Sequence, residues 1–166
     1  MAAPTTPDSH ITLTHPHQQA RETAFMLEAI RLARQGKWRT APNPCVGAVI
    51  TQGDDIVARG WHTAHGQPHA EVEALADARR KNVDLSCCEL WVTLEPCNHS
   101  GKTPPCTRAI LEAGIKTVHV GSPDPNPHVA GGGLAFLREH GVQAEQCQDS
   151  EVLQACDDLL ADFLCW

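Results

Sequence analysis

Apolar positions along the chain follow two periods, and the change from one to the other marks the elements. In ARETAFMLEAIRLARQG (20–36), Phe25, Met26, Ala29, Ile30 and Ala33 recur every three or four residues. This spacing predicts an amphipathic helix that Gly36 can close. CVGAVIT (45–51) and DIVARGW (55–61) are short apolar runs around the polar turn QGDD, a hairpin pattern. AEVEALADARRK (70–81) returns to helical spacing, with Val72, Leu75 and Ala76 on one side. ELWVTL (89–94) predicts a strand that runs straight into a polar loop, and TRAILEAGI (107–115) a helix ending at Ala-Gly. KTVHVGS (116–122) reads as a strand, DPNPHVAGG (124–132) as a loop and GLAFLREHG (133–141) as a helix. VQAEQC (142–147) is a weak strand, and EVLQACDDLLADFLCW (151–166) an amphipathic last helix. A hairpin followed by alternating helices and strands predicts an α/β fold: a three-layer α/β/α sandwich around a mixed five-stranded sheet. In such sheets ligands collect at the carboxyl ends of strands and at the helix N-termini facing them. The loop after ELWVTL and the tetrapeptide PHAE (68–71) occupy two such places.

Composition narrows the class. No apolar run approaches the ~20 residues of a membrane span. The start, MAAPTTPDSHITLTHPHQQA, lacks the basic and apolar regions of a secretory signal. Residues 1–20 read as a flexible arm, and 21–166 as one domain. A net charge of −7 excludes the dense Lys and Arg field that long nucleic acid requires, while leaving room for a small phosphorylated substrate. Eight cysteines without an export signal point to reduced thiols in the cytoplasm, some of them on metal.

LEPCNHSGKTPPC (94–106) places two cysteines nine positions apart, a spacing open to a disulfide, a metal clip or two unrelated thiols. The surrounding order decides in favour of a metal. Cys97 follows a strand end, and Cys106 opens a helix after two prolines, where a helix N-terminus favours thiolate. His69 opens the preceding helix, 28 positions before Cys97, and Glu71 follows it by two. One imidazole and two thiolates leave a fourth tetrahedral position for water, the arrangement of a catalytic zinc, with one Zn2+ per chain. Glu71 would face that water as a proton shuttle. A closed structural zinc stays open as an alternative, with His99 or Cys88 as its fourth ligand. His-x-Glu followed by Pro-Cys and a second Cys resembles the signature of zinc deaminases.

From about Ala24 to Val142 the chain resembles the diaminohydroxyphosphoribosylaminopyrimidine deaminases of riboflavin biosynthesis, within the cytidine deaminase-like superfamily. The motifs are APNPCVGAVI, GWHTAHGQPHAEVEAL, VTLEPCNHSGKTPPC, AGIKTVHVGSPDPNPHVAGGG and LREHGV. Most members of that superfamily have two residues between the cysteines. The eight in NHSGKTPP are similar to the riboflavin-type enzymes and point away from cytidine and tRNA adenosine deaminases. The resemblance implies a cytidine deaminase-like fold and hydrolytic removal of an exocyclic amine from a diaminopyrimidinone carrying a ribosylamino phosphate. The products would be the pyrimidinedione phosphate and ammonia. It also implies that His69, Cys97 and Cys106 are zinc ligands, that Glu71 is the shuttle, and that Asn43, His62, His99, Lys102, Asp124 and Asn126 line the substrate site. Lys102 beside the metal would meet phosphate as a point charge, or else be a solvated surface lysine. Asn43 would offer donors and acceptors to a heterocycle edge, or else be a turn asparagine. DPNP is a turn by composition alone, so Asp124 and Asn126 rest on the resemblance. His65, His119, His128 and His140 receive no role.

Many bacterial members of this family continue into a reductase domain, and this chain stops where that domain would begin. The expectation is a stand-alone deaminase with a separate reductase partner. The alternative is a paralogue acting on another aminated nucleobase or heterocycle. A homodimer is expected, with neither nucleic acid nor membrane as partner. Val152, Leu153, Leu159, Leu160, Phe163 and Leu164 on the last helix would pack on their own sheet or on a second subunit. Two other classes fit less well. A non-catalytic zinc scaffold would have no use for Glu71, and a nucleic-acid editor would want basic and stacking residues.

Overall fold

The computed structural model describes residues 16–101, 103–126, 128 and 132–164, with the side chains of Phe163 and Leu164 outside the description. The elements run α1 (Pro16–Arg34), β1 (Gly47–Gln52), β2 (Asp55–Trp61), α2 (Ala70–Arg80), a short 3-10 turn (Leu85–Cys87), β3 (Glu89–Leu94), α3 (Cys106–Ala113), β4 (Thr117–Ser122), α4 (Gly132–Glu139), β5 (Gln143–Gln146) and α5 (Ser150–Leu164). The expected sandwich is present. One mixed sheet of order β2-β1-β3-β4-β5 carries α1 and α5 on one face and α2, α3 and α4 on the other.

Strand alternation divides the core between the two faces. Ala48, Ile50, Leu90, Val92, Val118 and Val120 pack under α2, α3 and α4. Val49 and Trp91 point the other way, into a cluster with Phe25, Met26, Ile30, Val152, Cys156 and Leu159. The buried Trp91 indole keeps a partner by donating to Thr51 Oγ1 at 2.9 Å. The α5 residues Val152, Leu159 and Leu160 are buried within the chain's own structure, and Leu153 is half-buried.

Two expectations need correction. Residues 16–20 are helical, so α1 enters the span assigned to the arm; Pro16 supplies the fixed φ that suits a first helical position. Residues 1–15 lie outside the described residues. On α2 the buried face is Ala70, Glu71, Ala74, Leu75 and Ala78, whereas Val72 and Ala76 are only half-buried. The cause is close packing on the hairpin. A Cβ at Gly60 would stand 2.3 Å from Ala74 N, so small residues line this contact and the larger Val72 turns aside.

The sheet also gathers several loops at one edge. β1 is antiparallel to both β2 and β3, and β3, β4 and β5 are parallel. The carboxyl ends of β2, β3 and β4 and the start of β1 therefore lie at the same edge. Asn43, His62, Glu95–Cys97 and Asp124 all emerge there.

Candidate active site

His69 is the residue immediately before α2, in extended conformation, and its side chain makes no cap hydrogen bond, which leaves the ring available. Cys106 is the first residue of α3, after Pro105. Its backbone N–H donates to Cys97 Sγ at 3.3 Å, and Thr107 N–H donates to the Cys97 carbonyl at 3.2 Å. These two bonds bring both sulfurs to one point despite their separation along the chain. His69 Nδ1 lies 3.7 Å from Cys97 Sγ and 3.3 Å from Cys106 Sγ.

Zinc–sulfur bonds of about 2.3 Å and zinc–nitrogen bonds of about 2.0–2.1 Å, set tetrahedrally, place neighbouring ligand atoms roughly 3.6 Å apart. The observed spacing fits that ion. Among the described residues, His69, Cys97 and Cys106 are the one group of three such side chains able to share a metal. Both candidates for a fourth protein ligand fall away from it. Cys88 precedes β3, whose length puts it about 20 Å from the Cys97 end, and its thiol donates to Asp84 O. His99 lines the neighbouring cavity without joining the group.

The same contacts set the proton affinities of these side chains. Hydrogen bonds from the Cys106 thiol, the His69 ring and the Cys106 backbone hold Cys97 as thiolate, its pKa pushed down to about 4. That neighbouring thiolate and burial push Cys106 far up, so the two sulfurs hold one proton between them. His69 is raised, first by its contact with Cys97. Glu71 is 3 % exposed and meets Cys106; burial is the main cause that lifts its carboxyl to about 7. A carboxyl with that affinity can both take and return a proton near neutrality.

The remaining walls are formed by the loops at this edge. Asn43 Nδ2 reaches His62 Nε2 at 3.3 Å, and the His62 ring stands edge-on to His69 with centroids 5.5 Å apart. Burial lowers the pKa of His62. On the other side a cavity of about 230 Å³ is lined by Glu95, Cys97, Asn98, His99, Asp124 and His128, among others. Asn126 does not line it. Its backbone donates to Asp124 Oδ1 at 2.9 Å and its Oδ1 accepts from His128 N at 3.0 Å, so it shapes the turn that presents its neighbours. Lys102 lies outside the described residues.

Glu95, which received no role from the sequence, is buried at 4 % exposure. Its carboxylate accepts from Asp124 N at 3.1 Å and from Leu134 N at 3.2 Å, tying the β4–α4 loop to the strand end that carries Cys97. Its partners are 29 and 39 positions away, so no local pattern announces it. His65, whose Nδ1 lies 3.4 Å from Asn43 Nδ2, was missed for the same reason.

Comparisons with known proteins agree with this geometry. Residues 19–122 match the family described as "Cytidine and deoxycytidylate deaminase zinc-binding region". The chain is 47% identical over 139 residues to the riboflavin biosynthesis protein RibD of Synechocystis sp., covering 82% of this chain and 36% of that one. It is 46% identical over 125 residues to the diaminohydroxyphosphoribosylamino-pyrimidine deaminase of Buchnera aphidicola subsp. Schizaphis graminum, covering 75% of this chain and 83% of that one. Among solved structures, a Thermotoga maritima diaminohydroxyphosphoribosylaminopyrimidine deaminase that is also a uracil reductase matches with TM-score 0.79 and 45% identity, over 89% of this chain and 42% of that one. The chain therefore spans about two-fifths or less of the RibD-length relatives and most of the Buchnera enzyme.

Proposed function

We infer the reaction from membership: this chain belongs to the cytidine and deoxycytidylate deaminase family, among the diaminohydroxyphosphoribosylamino-pyrimidine deaminases. It is a zinc-dependent hydrolase that removes the exocyclic amine of a diaminopyrimidinone carrying a ribosylamino phosphate, releasing ammonia in riboflavin biosynthesis. The observation that carries this reading is the set of three zinc-spaced ligands beside a wholly buried carboxyl, at the edge where the strand ends converge.

His69, Cys97 and Cys106 hold the ion. When bound, zinc supplies positive charge that brings the pKa of a water down to about 7. Glu71 takes the first proton of the attacking water and passes it to the ring nitrogen beside the amine; it then takes the second proton, from the hydroxyl now on the ring carbon, and gives it to the amine, which leaves as ammonia as the carbonyl forms. Burial keeps that carboxyl from losing its proton to bulk water and raises its affinity to the value the task needs. Asn43 and His62 form the wall next to His69, and His99 and Asp124 the wall next to Cys97. Lys102 is assigned to the substrate phosphate, and Asn126 to the turn that holds Asp124. No described helix is long and apolar enough to cross a membrane. We place the chain in the cytoplasm, where its thiols stay reduced. A reductase is the partner expected to consume the product, as the two activities share one chain in the Thermotoga protein. The homodimer remains part of the proposal, and it must use a surface other than Val152, Leu159 and Leu160, which the chain's own core occupies.

The test is ammonia release by zinc-loaded protein from the diaminopyrimidinone phosphate without NADPH, with cytidine, cytosine, guanine and adenosine in parallel. Turnover of the first compound alone is expected, and Glu71→Gln should fall below about a hundredth of that rate while retaining zinc. Activity on another base alone would overturn the substrate, and a Glu71→Gln variant keeping more than about a tenth of the rate would overturn the assigned shuttle.

A further inference from the structure

Two histidines decide which end of the Asn43 amide is spent. His62 Nδ1 lies 3.0 Å from the Pro68 carbonyl oxygen. A carbonyl only accepts, so this ring donates from Nδ1. Nε2 faces the Asn43 amide at 3.3 Å. The amide atom at that distance is Nδ2, and an NH2 group only donates, so Nε2 is the acceptor of this bond. The second hydrogen of that NH2 points to His65 Nδ1 at 3.4 Å, which makes His65 an acceptor at Nδ1 and puts its own proton on Nε2. Both donors of Asn43 are thus engaged, and no described residue donates to its Oδ1.

The backbone holds this arrangement from both sides. Asn43 N–H donates to the Thr40 carbonyl at 2.7 Å, and His65 N–H donates to the Arg39 carbonyl at 2.9 Å, so the two loops that carry the pair are linked through 39–43. A Cβ at Gly36 would stand 2.4 Å from the His62 carbonyl oxygen, so the same turn is seated directly against the third member.

We propose that His65 is a positioning residue that, together with His62, clamps Asn43 so that it offers a bound ring a hydrogen-bond acceptor and no donor. The clamp selects rings carrying an N–H on the edge that meets Asn43. It rejects rings that present a bare nitrogen or a carbonyl there. This rests on the substrate class given above: a pyrimidinone with a protonated ring nitrogen beside its amine has such an edge, and a cytosine ring does not. A lone pair forced against Oδ1 leaves two buried acceptors without a donor, enough for discrimination of about 10–100-fold.

The direct test is the tautomeric state of the histidines in zinc-loaded, full-length protein labelled with 15N-histidine, read by long-range 1H–15N correlation NMR. The expected spectra show His62 protonated on Nδ1 and His65 protonated on Nε2. His62 protonated on Nε2, or His65 protonated on Nδ1, overturns the clamp whatever the activity. In kinetics, His65→Ala should raise KM about 3–10-fold with kcat little changed, because one of two tethers is lost. His65→Asn, whose Oδ1 takes the place of Nδ1, should restore KM, and His65→Phe should not. Equal KM in all three overturns the role of His65. Expected tautomers in a protein that releases no ammonia from the pyrimidinone would uphold the clamp and overturn the substrate class. The two readings therefore fail separately.

Discussion

Two pairs of cysteines, Cys97 with Cys106 and Cys147 with Cys156, lie on opposite sides of the sheet, and their chemistry diverges. At the carboxyl edge, Cys97 accepts from the Cys106 backbone and lies against His69, and its pKa falls to about 4. Under α5, burial dominates for Cys147 and Cys156, with the charge of Cys147 adding to the effect on Cys156, and both rise to about 12. Burial alone makes a thiol inert. A backbone N–H and an imidazole beside it make Cys97 a thiolate, and depth alone does not exclude a ligand, since Cys106 in the same group is 2 % exposed against 1 % for Cys156. At the first site a bound dication would take the place of the shared proton, whereas among the described residues the second has no third ligand.

Removal of either ligand thiol should produce the largest contrast. Cys97→Ser or Cys106→Ser should reduce bound zinc from one per chain to under about a tenth and turnover by about 10³-fold or more, since metal and nucleophile are lost together. Cys156→Ala should keep both, at a cost of about 1 kcal/mol in stability. Metal analysis and urea unfolding of the same preparations check this. Zinc bound equally by Cys97→Ser would break the comparison.

Thiol reactivity should sharpen it. In protein stripped of metal by a chelator, Cys97 should be alkylated at pH 6 at least about 10-fold faster than Cys156, with zinc restoring protection. Peptide mass spectrometry over a time course reads both residues at once.

Alkaline pH should act on the inert side. Cys156 has a folded pKa near 12 against 9.0 for a free thiol, so the folded state keeps a proton that the unfolded state releases. Its stabilisation is complete below pH 9 and declines as pH rises towards 12, at up to about 1.4 kcal/mol per pH unit. Cys156→Ala should flatten that decline in unfolding measurements at pH 8 and 10. An unchanged slope would assign the decline to other groups.

The smallest effect has the opposite sign and lies at acid pH. Glu28 accepts two hydrogen bonds from Arg31, at 2.8 Å each, and one from Arg59 at 3.1 Å; the Arg31 contact is the main cause that lowers its pKa from 4.5 to about 2. Its contribution is present above pH 4.5 and lost as pH falls towards 2. Solvent around Arg31, 60 % exposed, limits it to about 0.5–1 kcal/mol. Glu28→Gln should soften acid unfolding by that amount.

The readable parts of this fold were those with a clean period. β2 and β3 match their apolar runs residue for residue, because a strand between turn signals has sharp limits. The first turn of α1 carries Pro-His-Gln-Gln, which has no apolar rhythm and so nothing to set it apart from an arm. The face of α2 was misjudged because hydrophobicity favours Val72, whereas the actual contact selects small residues against Gly60 and buries Glu71. In the site, His69, Glu71, Cys97 and Cys106 were legible because each marks an element end and their order is distinctive. Asn43, His62, His99 and Asp124 entered through resemblance. Glu95 and His65 were invisible for want of any local pattern: their partners come from loops brought together only by the sheet's crossing order.

The segment between Cys97 and Cys106 has one further consequence, for how specificity can diverge. Its ends are pinned independently of what lies between them, by Cys106 N–H on Cys97 Sγ, Thr107 N–H on the Cys97 carbonyl, and Thr107 Oγ1 donating to Asn98 Oδ1 at 2.8 Å. Lengthening a loop whose ends are held costs little, about 0.6 kcal/mol for each doubling. The metal ligands and the segment between them, to which substrate recognition is assigned under the proposed function, are therefore separable modules. A different segment can be spliced between the same two thiols while His69, Cys97 and Cys106 stay where they are.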